Sequence, residues 1–304
     1  MYFEIAEITA SPWLLLIWGI LVGFIFSTVG AAGGILASVG IISVFGLQDP
    51  NLVKPMAQTL TLATPLIAVP LYMRQCRVVY RLAFLLAAGG IIGAFIGSTL
   101  SHGLLSDMSI FKPVFAVLVF FIAGQLVWQI FRSSQKTQHL TRAMRAAETF
   151  ERQVKDGQNL CAMGVHCVHK SLTRLVFRFG NEEFAFSTWL PLLAGMTIAI
   201  LSSALGVGGG FLLVPFMSII MRLPMYVIAG TSALAIAVHS LTSIGNYIRL
   251  GIELDLTMLG IMLVGIVAGS AIGPAVSKYM PENGLRGFLC IVLVLIGLRY
   301  TGLF

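Results

Sequence analysis

The chain has 304 residues, 58% of them hydrophobic and only 10% charged, with a mean hydropathy of +0.94. Soluble domains carry about 25% charged residues, so a water-soluble fold is excluded. The net charge of +7 does not point to nucleic acid, because nine of the nineteen Lys and Arg fall between Arg132 and Arg178 in one polar segment, the pattern of a cytoplasmic loop.

The residues before the first apolar run include Glu4 and Glu7 and no basic leader, so that run reads as part of the mature chain rather than a cleaved signal. Spanning the hydrocarbon core takes about 20 apolar residues, and the stretches 12–32, 52–73, 82–101, 111–131, 187–205, 226–248, 256–277 and 285–303 each offer that length. Two shorter apolar pieces, 33–46 and 211–221, follow glycine runs and end at polar turns, Gln48-Asp49-Pro50-Asn51 and Arg222-Leu223-Pro224. As helices they reach only about 16 to 21 Å.

Residues 132–186 form a basic linker between an N-terminal transmembrane repeat, 1–131, and a C-terminal one, 187–304. The linker reads as an amphipathic helical stretch over 140–154 followed by a polar, glycine-containing segment. Cys161, His166, Cys167 and His169 lie within nine residues. The adjacent pair would have to aim neighbouring side chains at one ion, so a solvated loop is expected there rather than a zinc site. The four cysteines suggest no disulfide framework.

Val29-Gly30-Ala31-Ala32-Gly33-Gly34-Ile35-Leu36 is echoed by Leu205-Gly206-Val207-Gly208-Gly209-Gly210-Phe211-Leu212 at an offset of 176, and Gly89, Gly93 and Gly97 fall on Gly265, Gly269 and Gly273 at the same offset. A repeat found before any helix is assigned constrains the whole architecture. Each half opens with a glycine-broken helix. Counting the short pieces gives five elements per half, and an odd number turns the second half upside down. The expected fold is an all-α integral membrane protein of two inverted repeats, with about 8–10 transmembrane elements. With the linker inside, the turns bearing Arg74, Arg77 and Arg81, and Lys278 and Arg286, are also inside.

A helix broken within a membrane exposes backbone groups that cost several kcal/mol each unless they are buried or line a cavity. Glycines let successive N–H groups converge on an anion, and the restarting helix adds the positive end of its dipole. Two such half-helices meeting near the midplane are a transporter design. Candidate anion-binding groups are therefore Gly30, Gly33, Gly34, Gly206, Gly208, Gly209 and Gly210, with Gln58, Thr59, Thr231 and Ser232 as side-chain donors. Against this, a membrane Ser or Thr often bonds its own helix carbonyl. The four-residue glycine ladders read as helix packing. His239, mid-span and two turns beyond Ser232, is the ionisable group placed to couple a proton. Lys54 and Arg74, near segment ends, read as interface anchors.

Gly206-Val207-Gly208-Gly209-Gly210 followed by Pro215, then Ala229-Gly230-Thr231-Ser232 and the glycine ladder, resembles the TauE/SafE family of sulfite and organosulfonate permeases over almost the whole chain outside the linker. The resemblance implies a permease for small sulfur-containing anions or related organic anions in the cell inner membrane. The first half departs from the pattern, with Ala32, Val39 and Met56-Ala57-Gln58-Thr59 at the matching positions, so the site need not be symmetric. The expected partners are a small anion, the bilayer and H+ as coupling ion; a homodimer stays open, and neither a cofactor nor an ATP loop is read. An enzyme is not expected, since Ser232 and His239 lie about 10 Å apart along one helix. A passive channel and a sensor signalling through the linker remain the alternatives.

Overall fold

The computed structural model describes residues 1–29, 33–76, 78–134, 166–170, 174–179, 182–277 and 282–301. A short hairpin (β1, Tyr2–Phe3; β2, Ile8–Thr9) leads into α1 (Pro12–Val29), α2 (Gly33–Val39), α3 (Pro50–Arg74), α4 (Tyr80–Leu104) and α5 (Met108–Ser134). A sheet of β3 (His166–Lys170), β4 (Arg174–Phe179) and β5 (Glu182–Ser187) precedes α6 (Trp189–Leu205), α7 (Gly210–Pro215), α8 (Met225–Arg249), α9 (Leu256–Ser277) and α10 (Glu282–Tyr300). Among the described residues the chain is thus predominantly helical, with five α-helices before a small sheet and five after it. α3, α4, α5 and α8 are long and apolar enough to cross a membrane.

Apolar side chains cover the outer surface, with Phe84 71% and Val117 70% exposed, while Gln58, Ser202, Thr231, His239 and Asn246 are buried. That inversion of the soluble pattern suits lipid as the solvent. Aspartates start three of the helices: Asp49 accepts from Asn51 N–H, Asp107 from Ser109 N–H and Asp255 from Met258 N–H. The Ser109 bond holds the Asp107 carboxyl below the usual carboxylate range.

The repeat extends to fine backbone detail. α2 runs into a π-helical turn at Gly40–Val44 and α7 into one at Phe216–Ile220, again 176 residues apart. Phe45 N–H bonds Gly40 C=O, and Met221 N–H bonds Phe216 C=O. Each short helix turns back before crossing on its own length.

Glycines set the closest crossings. A Cβ at Gly89, Gly93 or Gly97 on α4 would strike the carbonyl oxygens of Leu192, Met196 and Ile200 on α6. On the other side Gly19 and Gly23 of α1 meet Met262 and Ile266 of α9, whose Gly265 and Gly269 meet Leu16 and Ile20. The ladders are packing surfaces that bring backbones together. In both crossings residue numbers rise together, so α4 runs parallel to α6, and α1 to α9. α8 is also parallel to α4, since His239 lies beside Gly90 and Asn246 bonds Ser98. α5 and α10 are antiparallel, with Ala123 against Cys290, Phe120 against Gly297 and Phe115 against Tyr300.

Hydrophobic packing cuts across the sequence halves. One core joins α1, α2, α3, α5, α9 and α10 and takes in Leu205, Val207 and Phe211 around the α6–α7 break; the other joins α4, α6, α7, α8 and the sheet, and a small third cluster sets Leu62 of α3 against Ala237 and Ile244 of α8. The N-terminal half lends α4 to the second core, and the C-terminal half lends α9 and α10 to the first.

Three expectations change. The segment 166–187 is not a polar loop but an antiparallel sheet ordered β3-β4-β5, because Leu175, Phe177 and Phe179 alternate to one face and pack beside α4, α7 and α8. The stretch 140–154 lies outside the described residues. Lys54 does not snorkel to the interface: it is fully buried, its ammonium donating to Asn51 Oδ1, Ser101 C=O and Leu105 C=O at 3.2, 3.1 and 2.7 Å. It thereby ties the start of α3 to the negative end of the α4 dipole. Cys76 is disulfide-bonded, whereas Cys290 is free.

Candidate substrate site

The break between α6 and α7 places Gly206, Gly208 and Gly209 at φ +74°, +81° and +69°, left-handed conformations that cost an L side chain about 1–2 kcal/mol. Space is as restrictive as conformation. A Cβ on Gly208 would stand 2.6 Å from Thr61 Oγ1, and one on Gly209 would stand 2.6 Å from His239 Nε2 and 3.2 Å from Ser202 Oγ. Among the described residues, the N–H groups of Gly208 and Gly209 meet no acceptor. Successive unpaired N–H groups of this kind form an anion-binding concavity.

Side chains from three helices surround this loop. Gln58 Nε2 donates to Ser202 C=O at 3.0 Å, the same oxygen that accepts from the Gly206 and Val207 amides, which leaves Gln58 Oε1 without a partner. The two glycine runs touch directly, since a Cβ on Gly34 would strike Val207 C=O and lie 2.9 Å from Thr61 Cγ2. Gly33 packs on Phe26 in the same way. Gly30 lies outside the described residues.

Below the loop opens a cavity of about 490 Å³ lined by α1, α3, α9, α7 and α8, with Gly210 at its inner end and Ser27, Thr64, Tyr72, Ser232 and Ser270 as its polar groups. No charged side chain lines it. Its α3 lining runs from Ala63 to Tyr72 and its α8 lining from Met225 to Ile236, so it occupies the half of the molecule nearest the α3–α4 turn and the sheet. It also lies on the boundary between the two hydrophobic cores, α1, α3 and α9 forming one wall and α7 and α8 the other.

The expected site residues divide accordingly. Gly34, Gln58, Gly206, Gly208, Gly209 and His239 gather at the loop, with Gly33 flanking it, and Gly210 and Ser232 line the cavity. Thr59 does not join them: its hydroxyl donates to Pro55 C=O at 2.8 Å on its own helix. Thr231 Oγ1 accepts from Val79 N–H at 3.1 Å and so holds the start of α4. Ser232 Oγ also bonds back, to Ala229 C=O at 3.4 Å. Thr61, Ser202 and Ser203 were not foreseen. A signal existed for the serines, because Ser27 stands 176 residues before Ser203, immediately ahead of both glycine runs.

A lipid-exposed apolar surface, paired broken helices and a cavity ending at a glycine loop define a multi-pass membrane transporter. Residues 15–300 match the model of the sulfite exporter TauE/SafE family, and the chain belongs to that family. Relatives include a "Probable membrane transporter protein" of Xylella fastidiosa (strain 9a5c), 25% identical over 84% of this chain and 80% of that protein. Its counterpart in Xylella fastidiosa (strain Temecula1 / ATCC 700964) is 24% identical over the same shares. The "Probable membrane transporter protein YunE" of Bacillus subtilis (strain 168) is 27% identical over 47% of this chain and 54% of its own length. No solved structure matches the chain.

Proposed function

We propose that this protein is a secondary permease of the cell inner membrane that carries a small sulfur-containing anion, sulfite or a sulfonate, or a related organic anion, by alternating access. The anion binds at the N–H groups of Gly208 and Gly209, reached through the cavity past Ser232 and Gly210. The observation that carries this reading is the cavity's position: it reaches Gly210 beside the glycine loop and lies between the two main hydrophobic cores. Cores joined across a cavity can rock as bodies, closing one access and opening the other. A passive channel suits a blind cavity less well, since conduction needs a continuous path.

The two halves are inverted repeats in this reading. If consecutive elements run antiparallel, the short helices α2 and α7 counted among them, the observed registers set α1, α3, α5 and α9 in one direction and α4, α6, α8 and α10 in the other. Corresponding members of the halves then always oppose one another. The rocking bodies are not the sequence halves, however: α4 sits with α6, α7 and α8, and α9 and α10 sit with α1, α2, α3 and α5.

His239 is the coupling group, its buried Nε2 placed against Gly209 and left without a partner. Export of an anion down the inside-negative potential needs no coupling ion, whereas uptake needs a cation such as H+. Ser232 and His239 do not form a catalytic pair, since the serine bonds its own helix and the imidazole faces the glycine loop.

Proteoliposome flux of radiolabelled sulfite, a simple sulfonate and a carboxylate under an imposed pH gradient tests the reading. Gradient-driven accumulation of one sulfur anion, lost in His239→Ala while counterflow persists, is the expected result. Absence of flux for every anion under both gradient and counterflow would overturn the substrate class.

A further inference from the structure

Beyond the blind end of the cavity, α4, α6 and α8 run side by side and enclose polar side chains. Ser202, Ser203, Ser240 and Ser243 are each at most 1% exposed, His239 is 2% exposed, and an oxygen or nitrogen on each has no hydrogen-bond partner. Buried serines in helices ordinarily bond back to a carbonyl one turn earlier. Neighbours on these helices do so, Ser98 to Ala94 C=O and Thr242 to Val238 C=O. A buried polar group left unsatisfied costs about 1–3 kcal/mol, so this seam is an expensive way to pack three helices.

The repeat relates the seam to the cavity residue by residue. Adding 176 to the cavity residues Ala63, Thr64 and Ile67 on α3 gives His239, Ser240 and Ser243 on α8. Adding it to Phe26 and Ser27 on α1 gives Ser202 and Ser203 on α6. These five seam residues supply five of the eight partnerless buried polar atoms among the described residues. The cavity wall on α9, Ile266 and Ser270, maps onto Gly90 and Ala94 of α4, and Gly90 lies against His239. One copy of this surface is open, and its counterpart is shut.

We propose that the seam is a second substrate vestibule, on the face opposite the linker, closed in this conformation where Leu62 of α3 packs on Ala237 and Ile244 of α8, and opened when rocking draws α3 away from α4, α6 and α8. This rests on the alternating-access reading above and gives it named residues. Exchange of conformations between inverted repeats makes the closed copy adopt the form of the open one. Water then reaches Ser202, Ser203, Ser240, Ser243 and His239, which explains why their polar atoms are kept where packing alone would favour apolar groups. The vestibule differs chemically from the linker-side cavity: it presents four hydroxyls and an imidazole where the cavity presents Ala63, Thr64, Ile67, Phe26 and Ser27. It suits a small, hydrated oxoanion, shedding water to hydroxyl groups before it meets the Gly208–Gly209 amides.

Cysteine accessibility in intact cells and inverted vesicles tests this without any choice of substrate. Ser243→Cys and Ser203→Cys, near-isosteric changes, are treated with a membrane-impermeant thiol reagent, and the modified peptide is located by mass spectrometry. Thr64→Cys serves as the cavity control. The expected result is modification of Ser243→Cys and Ser203→Cys from the cell exterior, and of Thr64→Cys in inverted vesicles. Exterior labelling of neither seam cysteine, with Thr64→Cys still modified in inverted vesicles, overturns the vestibule. Seam labelling without flux of any test anion would instead uphold the vestibule and reject the proposed substrate.

Discussion

At Gly208 and Gly209 the backbone conformation and the surrounding atoms both exclude a side chain, whereas Gly210 has an ordinary φ and only Ile236 Cδ1 at 3.4 Å from a Cβ. Gly208→Ala and Gly209→Ala are expected to weaken anion binding by at least about tenfold, about 1.4 kcal/mol, while Gly210→Ala stays near wild type; equilibrium binding to purified protein measures all three. Lys54 is a different kind of residue, a buried cation satisfied by three oxygens. Lys54→Met should lower stability by about 2 kcal/mol, the scale of a charged hydrogen bond, with substrate preference unchanged; thermal unfolding in detergent, beside a flux assay, separates the two effects. Gln58 and His239 were legible as candidates because a buried amide and an intramembrane imidazole demand partners. Thr59 and Thr231 looked equivalent to Ser232 in sequence, since composition does not reveal which way a hydroxyl turns.

The helices meet according to where they lack side chains. Gly93 touches the Met196 carbonyl, whereas a Cβ at Gly103 meets nothing within 4 Å. Gly93→Val should therefore displace α4 from α6 and abolish monodisperse protein on size exclusion, and Gly269→Val should do the same to α1 and α9; Gly103→Ala should elute as wild type. The sheet was also legible in principle. Arg174-Leu175-Val176-Phe177-Arg178-Phe179 alternates with period two, and Gly180-Asn181 is a hairpin signal, but a run of basic residues beside cysteines and histidines drew the reading toward a loop. Its Phe177 and Phe184 rings stack at 5.5 Å, and Phe179 stacks on Tyr226 of α8 at 5.6 Å. Phe179→Ala is expected to loosen the sheet without unfolding the helices, read as faster proteolysis within 166–187 at unchanged helical circular dichroism.

Across the whole molecule, helix direction sorts the charges. If consecutive elements alternate, α2 and α7 included, Glu4, Glu7, Asp49, Asp107, Glu253 and Asp255 all fall at one membrane face, and Arg74, Arg81 and the linker fall at the other. In the proposed orientation the cavity mouth then lies on the basic side, the side expected to be cytoplasmic. Ser232→Cys should thus react with an impermeant thiol reagent in inverted vesicles and not in intact cells while the protein rests in the conformation described, and a bound substrate should slow the reaction.

The sequence alone determined that the chain is helical and lives in lipid, and it led to the proposal of two related halves broken at glycines, because hydropathy, period and residue identity are local properties. Tertiary structure alone decided which hydroxyls reach the glycine loop, which helices share a core, and where the cavity lies. Those outcomes depend on side-chain direction and on contacts between residues more than a hundred positions apart, which no local pattern in the sequence encodes.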